Sequence, residues 1–268
     1  MIYAYAKTNR LADIEEFISG SHIADVQKAG DRCYDEKLWE ACKLLYQNVG
    51  NNAKLASTLV NLGEFQAALE AAKKANTPKT WKEVNMACVK AREFRLAEQA
   101  GMQIIIHPDH LEDLIKHYEK YGFFEELIRL LENGLTLERS HMGLYTELGV
   151  IYAKYHPERL MDHLQTYVQK VNIPKLLRAC DKFKMWPEAV FLHINYDEFD
   201  NAIITMMEHA PSAWKHDLYV KNITRVSNQE LFYRSIRFYL DWEPMLLNDL
   251  LKIVSGKLDL PKTVLVLR

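Results

Sequence analysis

The chain has 268 residues, 49% of them apolar, and 34 Lys plus Arg against 36 Asp plus Glu give a net charge of −2. That apolar share supports a substantial core and excludes a disordered chain, while the balanced charge excludes a global field for nucleic acid or an anionic membrane. Four cysteines, at 33, 42, 88 and 180, lack any C-x-x-C spacing and are too sparse for a disulfide scaffold, so reduced thiols are expected.

In chain order, the opening "MIYAYAKTNRLADIEEF" goes straight into helical periodicity and lacks the basic, apolar and small-residue order of a secretory leader. It reads as a start inside an element, as in a fragment excised behind Met1. Leu38, Ala41, Cys42, Leu45 and Tyr46 recur at i, i+3, i+4, i+7 and i+8, one apolar stripe on a helix, and Leu111, Leu114, Ile115 and Tyr118 repeat the pattern. Helix breaks are expected at Asn76-Thr77-Pro78, His107-Pro108, His156-Pro157, Asn172-Ile173-Pro174 and Ala210-Pro211. No alternating run long enough for a strand is present. Apolar runs such as Ile104-Ile105-Ile106 fall far short of the ~20 residues that cross a bilayer, so no membrane insertion is expected.

A second pattern lies over the first: an apolar or aromatic residue followed three positions later by a small or aliphatic one. The copies begin at Leu11, Leu38, Phe65, Phe94, Phe123 (or Phe124), Tyr155 and Trp186, with first members 27, 27, 29, 29, 32 and 31 residues apart. Phe199-x-x-Ala202 is out of phase by half a repeat, and Phe232-x-x-Ser235 lacks the alanine. A spacing near thirty holds two helices of about 11–12 residues and two turns, the unit of a helical-hairpin array. The aromatic is expected to plug the gap to the preceding helix, and the small residue to let the neighbouring helix approach to ~8–10 Å. The expected fold is therefore all-α: a right-handed helical-hairpin solenoid, zigzagging into an elongated rod of about eighteen helices, continuous over residues 1–251 with an uncertain continuation over 252–268.

Signals that could mean chemistry are few. His107-Pro108-Asp109-His110 is the most metal-like cluster, but no third ligand is identifiable, and a turn with Asp109 as N-cap is the better reading. Glu15-Glu16 and Glu125-Glu126 are adjacent pairs that point to different helix sides, not proton-sharing dyads. Ser255-Gly256-Lys257 lacks the upstream glycine of a phosphate loop, and Asn222-Ile223-Thr224 without a leader is a chance match to a glycosylation acceptor. Tryptophans 39, 81, 186, 214 and 242 read as core plugs at hairpin junctions. No catalytic, cofactor-binding or metal-ligating set emerges, and no enzyme activity is expected. Charge by window is more informative: Lys73, Lys74, Lys79, Lys82, Lys90, Arg92 and Arg95 against Glu83 and Glu93 make residues 73–95 locally +5, and residues 109–132 are locally −4. Such blocks suit docking of an acidic helix or a neighbouring rod.

The strings "GDRCYDEKLWEACKLLY" (30–46), "LASTLVNLGEFQAALEAAKKAN" (55–76), "LERSHMGLYTELGVIYAKY" (137–155), "VNIPKLLRACDKF" (171–183), "YDEFDNAIITMMEH" (196–209) and "FYLDWEPMLLNDLL" (238–251) resemble the clathrin heavy-chain family, in the proximal part of its leg. The likeness is dense to about residue 251, and "KIVSGKLDLPKTVLVLR" fits it poorly. The resemblance implies a scaffold on the cytoplasmic face of coated pits and vesicles. Its legs join into triskelions and pack against other heavy-chain legs in a polyhedral coat, and a light chain with an acidic central helix lies along the leg. On that basis the 73–95 basic residues are expected to face the light chain. His163, His209 and His216, each beside a carboxylate, are expected to make coat contacts pH-sensitive. The alternatives are a clathrin-type repeat region in a membrane-tethering subunit, and a tetratricopeptide-like module, whose 34-residue period the shorter, irregular spacing does not match.

Overall fold

The computed structural model describes residues 1–20, 25–259, 261, 263 and 264, and every regular element among them is helical. The chain divides into two compact units, Met1–Leu144 and Tyr145–Arg268. The first contains α1 (Ile2–Lys7), α2 (Leu11–Ser19), α3 (Val26–Asp35), α4 (Trp39–Val49), α5 (Asn52–Leu62), α6 (Phe65–Ala75), α7 (Pro78–Ala91), α8 (Phe94–Ile104), α9 (Pro108–Tyr121) and α10 (Phe124–Leu135). The division falls within α11 (Met142–Tyr155). The second unit continues with α12 (Leu160–Tyr167), α13 (Ile173–Phe183), α14 (Trp186–Asn195), α15 (Phe199–Glu208), the single turn α16 (Ala210–Ala213), α17 (His216–Ile223), α18 (Glu230–Trp242) and α19 (Leu247–Val254).

Within the first unit each odd-numbered helix packs on the even one that follows, as α3 on α4, α5 on α6 and α7 on α8. Odd helices also stack on odd (α1 on α3, α5 on α7, α7 on α9) and even on even (α2 on α4, α6 on α8, α8 on α10). This is the helical-hairpin solenoid expected from the thirty-residue period.

The two kinds of helix start differently. Odd helices α3, α5, α7 and α13 open on a side-chain cap: Asp25, Asn51, Thr77 and Asn172 accept the backbone N–H of Lys28, Lys54, Thr80 and Lys175 at 2.9, 3.1, 3.3 and 3.0 Å. The even helices α2, α4, α6, α8, α10 and α14 have no side-chain cap. Each follows one left-handed residue: Asn9, Lys37, Gly63, Arg92, Gly122 and Lys184, at φ between 55° and 79°. The next backbone N–H then returns to a carbonyl five residues back, as Leu38 to Cys33 (3.0 Å), Glu64 to Leu59 (2.9 Å), Glu93 to Cys88 (2.9 Å) and Met185 to Cys180 (2.9 Å). That is the 6→1 bond of a Schellman turn, which ends one helix and sets the first residue of the next. Only two of the six positions are glycine, so most of the period is written in backbone conformation that the side chains do not announce.

Small residues set the helix spacing as expected. Ala41, Ala68, Ala97 and Ala189, three positions into the repeat motif, are all buried. A Cβ on Gly30 would stand 3.0 Å from the Tyr46 ring, and one on Gly101 2.7 Å from Leu130, so a larger residue at either crossing would force the neighbouring side chain to move. The motif's aromatics are not plugs: Phe65, Phe94 and Trp186 are half-buried at the turns, where Phe94 meets Phe123 edge-on at 4.8 Å. Tyr155 does not open a helix but closes α11. A short 3-10 turn, Pro157–Arg159, intervenes, and the even helix starts at Leu160, with buried His163 where alanine would stand. Asp109 is not an N-cap either; Pro108 takes the first helical position, which its fixed φ suits, and puts His107 at the cap. Of the five tryptophans only Trp81 is buried; Trp39, Trp186 and Trp214 are half-buried and Trp242 is exposed.

The second unit keeps the hairpin but changes the filling. α15 follows α14 by the same left-handed turn, at Asp197 (φ 59°), half a repeat early. Its core adds a group of buried aromatics to the aliphatic residues: Tyr219, Phe232 and Tyr239 are all at 2% exposure or less, and the Tyr219 hydroxyl lies 2.6 Å from the Ser235 hydroxyl. Serine in place of alanine at 235 therefore satisfies a buried phenol.

Candidate docking surface

Of the seven basic residues singled out in the sequence, five lie on the α7–α8 hairpin and two at the end of α6. Lys79 and Lys82 lie in the first turns of α7, while Lys90, Arg92 and Arg95 lie at its far end and the start of α8. The length of α7 between the two groups sets them about 12–20 Å apart along its axis. Lys73 and Lys74 are in the last turn of α6, where Lys73 pairs with Glu70 at 2.7 Å. Arg92 sits 5.7 Å over the Phe123 ring, and Arg95 borders a groove that also holds Glu64 and Glu93. The far group is thus interleaved with acid; in the near group Lys73 and Lys82 are paired with Glu70 and Asp113, and among the described residues Lys74 and Lys79 stand outside any ion pair.

Lys79 and Lys82 edge a groove of about 620 Å³ between α5 and α7, closed on one side by Tyr34 of α3. Ala53 and Met86 line it, and Lys54 adds a third cation, its Nζ 4.5 Å over the Tyr34 ring. Tyr34, Ser57 and Glu83 form a hydrogen-bonded chain across the three helices: the Tyr34 and Ser57 hydroxyls are 2.5 Å apart, and Ser57 donates to Glu83. Lys82 reaches Asp113 of α9 at 2.5 Å, and that bond holds the Asp113 carboxyl below its usual range. The capped N-termini of α5 and α7 both border the groove, adding the positive ends of two helices to its lysines. Lys54 was not visible from the 73–95 window because it belongs to the preceding repeat. The available signal was periodic: Lys54 and Lys79 hold neighbouring positions in the first turns of successive odd helices.

Among the described residues no three His, Cys, Asp or Glu side chains are placed to hold a metal ion. All four cysteines are buried, and burial pushes Cys42 and Cys180 up to about 12 and Cys88 to about 11, far from thiolate reactivity. Lys257 donates to the Thr224 carbonyl, and Asn222, 2% exposed, donates to the Leu218 carbonyl at 2.8 Å, so neither serves a phosphate loop or a glycan. The histidines expected to sense pH are committed internally. His163 lies 2.8 Å from the Tyr145 carbonyl and is held below the ordinary imidazole value by burial; His209 stacks flat on Trp186 at 3.6 Å; His216 meets the Tyr239 hydroxyl at 3.0 Å. Among the described residues no helix is long and apolar enough to cross a membrane.

Two units of paired helices, odd stacked on odd, with a lysine-edged groove between two hairpins, define an α-helical repeat scaffold. The family model described as "Region in Clathrin and VPS" matches residues 1–96 and 102–247. The chain belongs to the clathrin heavy-chain repeat family. It is 52% identical over 264 residues to the clathrin heavy chain of Drosophila melanogaster, covering 98% of this chain and 16% of that protein. Against clathrin heavy chain 2 of Homo sapiens it is 51% identical over 264 residues, 98% of this chain and 16% of the other. Against clathrin heavy chain 1 of Arabidopsis thaliana it is 51% identical over 268 residues, 100% and 16%, a match that takes in the last seventeen residues. The chain thus spans about 16% of the length of the curated relatives it matches.

Proposed function

We propose that the chain is a leg segment of a self-assembling coat scaffold, continuous as a solenoid through residue 251. In this reading it packs against other heavy-chain legs on the cytoplasmic face of coated vesicles and carries a light chain along its odd-helix side. The observation that carries the proposal is the identity of about 50% along nearly the whole of this chain to a segment of clathrin heavy chains from animals and plants, on a fold of stacked hairpins. Supporting it, the apolar groups serve packing, the thiols are inert, and the accessible features are charged helix surfaces suited to many weak, reversible contacts multiplied by lattice geometry. Of the basic residues of 73–95, Lys73, Lys74, Lys79 and Lys82 would meet the acidic helix of the light chain, while Lys90, Arg92 and Arg95, at the far end of α7 and the start of α8, would not.

Pull-down of recombinant light chain by the chain carrying Lys73→Glu, Lys74→Glu, Lys79→Glu and Lys82→Glu tests this directly. Retention is expected to fall at least about tenfold at physiological salt, where exposed charges still act over ~8 Å. Retention equal to that of the unaltered chain would remove the light-chain assignment.

A further inference from the structure

We propose that Ser227, in the loop between α17 and α18, is a phosphorylation site for an arginine-directed serine kinase, and that its phosphate opens a latch on the start of α15. The site lies wholly within the second unit and does not depend on the coat role.

α17 ends at Ile223 and α18 begins at Glu230; Ser227 lies in the irregular link between them, exposed and outside any helix, where a kinase cleft can reach it. Arg225 stands two residues earlier. Its guanidinium lies 3.8 Å over the Phe199 ring and 3.5 Å from the Asp197 carboxylate. Both members of that pair are open to water, so transferring the arginine to the acidic cleft of a kinase costs little.

The Ser227 hydroxyl is already engaged. Asp200, in the first turn of α15, accepts three bonds from the loop: the Ser227 hydroxyl at 2.9 Å, the Ser227 backbone N–H at 2.9 Å and the Asn228 backbone N–H at 3.2 Å. In the transfer the Ser227 oxygen attacks the γ-phosphorus of MgATP, and the bond from that phosphorus to the β,γ-bridging oxygen breaks. ADP leaves with the electron pair, and the hydroxyl proton passes to the kinase's catalytic carboxylate. A donor facing Asp200 is thereby replaced by a group of about −1.5 to −2 charges, and attraction becomes repulsion. On the other side of Ser227 is a hollow of about 570 Å³, with Lys257 as its cation and Asp259 as its acid. Lys257 is exposed and donates to the Thr224 carbonyl at the start of the same loop. The phosphate therefore turns away from Asp200 toward Lys257, and the first turn of α15 loses its tie to the α17–α18 loop.

The test incubates the full chain with MgATP and the catalytic subunit of cyclic-AMP-dependent protein kinase, maps incorporation by mass spectrometry and compares hydrogen exchange before and after. Phosphate is expected at Ser227, retained in Ser227→Thr and slowed at least about tenfold in Arg225→Ala. Amide exchange at residues 199–203 and 225–230 is expected to speed up at least about tenfold on phosphorylation, and Lys257 to react at least about threefold more slowly with an acetylating reagent. Ser227→Glu, which brings charge without a kinase, is expected to speed the same amides more than Ser227→Ala does. The substituted residues are exposed loop positions, and unchanged helicity by circular dichroism checks the fold of each variant. No phosphate at Ser227, or incorporation indifferent to Arg225→Ala, overturns the site. Phosphorylated chain with unchanged exchange at 199–203 overturns the latch.

Discussion

Residues 52–104 and residues 186–242 build the same kind of helical pair from different materials. In α5–α8 the odd helices are capped by Asn51 and Thr77, the even ones follow left-handed Gly63 and Arg92, and the contact face is alanine. In α14–α18 the turn survives at Asp197, but the phase slips by half a repeat and the core fills with Tyr219, Phe232 and Tyr239. What persists across the two is the backbone turn; what varies is the side-chain solution to the space it leaves. A repeat protein can therefore lose its sequence motif without losing its architecture.

The largest expected effect comes from emptying the aromatic core. Phe232→Ala should destabilise the second unit by ~3–5 kcal/mol, read as lost hydrogen-exchange protection in α17 and α18, because the surrounding rings cannot collapse into the void. A loss below ~1 kcal/mol would mean that this core is loosely packed and the contrast with the alanine face is one of composition only.

Next are the turns. Gly63→Ala meets no atom within 4 Å, so its whole cost is the left-handed backbone, ~1–2 kcal/mol. The reciprocal change Arg92→Gly, at φ 64°, should stabilise by up to about 1 kcal/mol in chemical denaturation. Equal signs for the two substitutions would show that the turn is not the shared device.

The smallest effect concerns a buried acid. Glu188, 8% exposed and with Oε2 unpartnered, is raised above the usual carboxyl range by burial. Its folded form prefers the proton, so its contribution is favourable in acid and lost as pH rises through the raised value. Glu188→Gln should therefore raise the melting temperature at pH 7 by about 2–4 °C, roughly 1 kcal/mol in a chain of this size, with the gain vanishing below about pH 4. A gain that persists unchanged at pH 4 would rule out titration as its source.

Much of this was legible in the sequence. Phe65, Phe94 and Trp186 marked real helix starts, because an apolar first residue and a buried alanine three later follow from helix geometry alone. Tyr155 misled because its spacing fits the repeat, although the break expected at His156-Pro157 is where α11 ends; the chain spends those residues on a 3-10 turn and restarts at Leu160. Lys37, Arg92 and Lys184 hid their left-handed turns, since side chains other than glycine give no local sign of positive φ. The groove was only half visible: the charge window contained Lys79 and Lys82, but Lys54 and Tyr34 reach it from earlier repeats through stacking that no linear window spans.

Hydrogen–deuterium exchange of the chain with and without recombinant light chain tests the central claim most directly. Slower exchange is expected at the starts of α5 and α7, residues 52–57 and 78–86, and not at the far end around Lys90 and Arg95. Binding that protects the far end, or that leaves both helix starts unchanged, would contradict it.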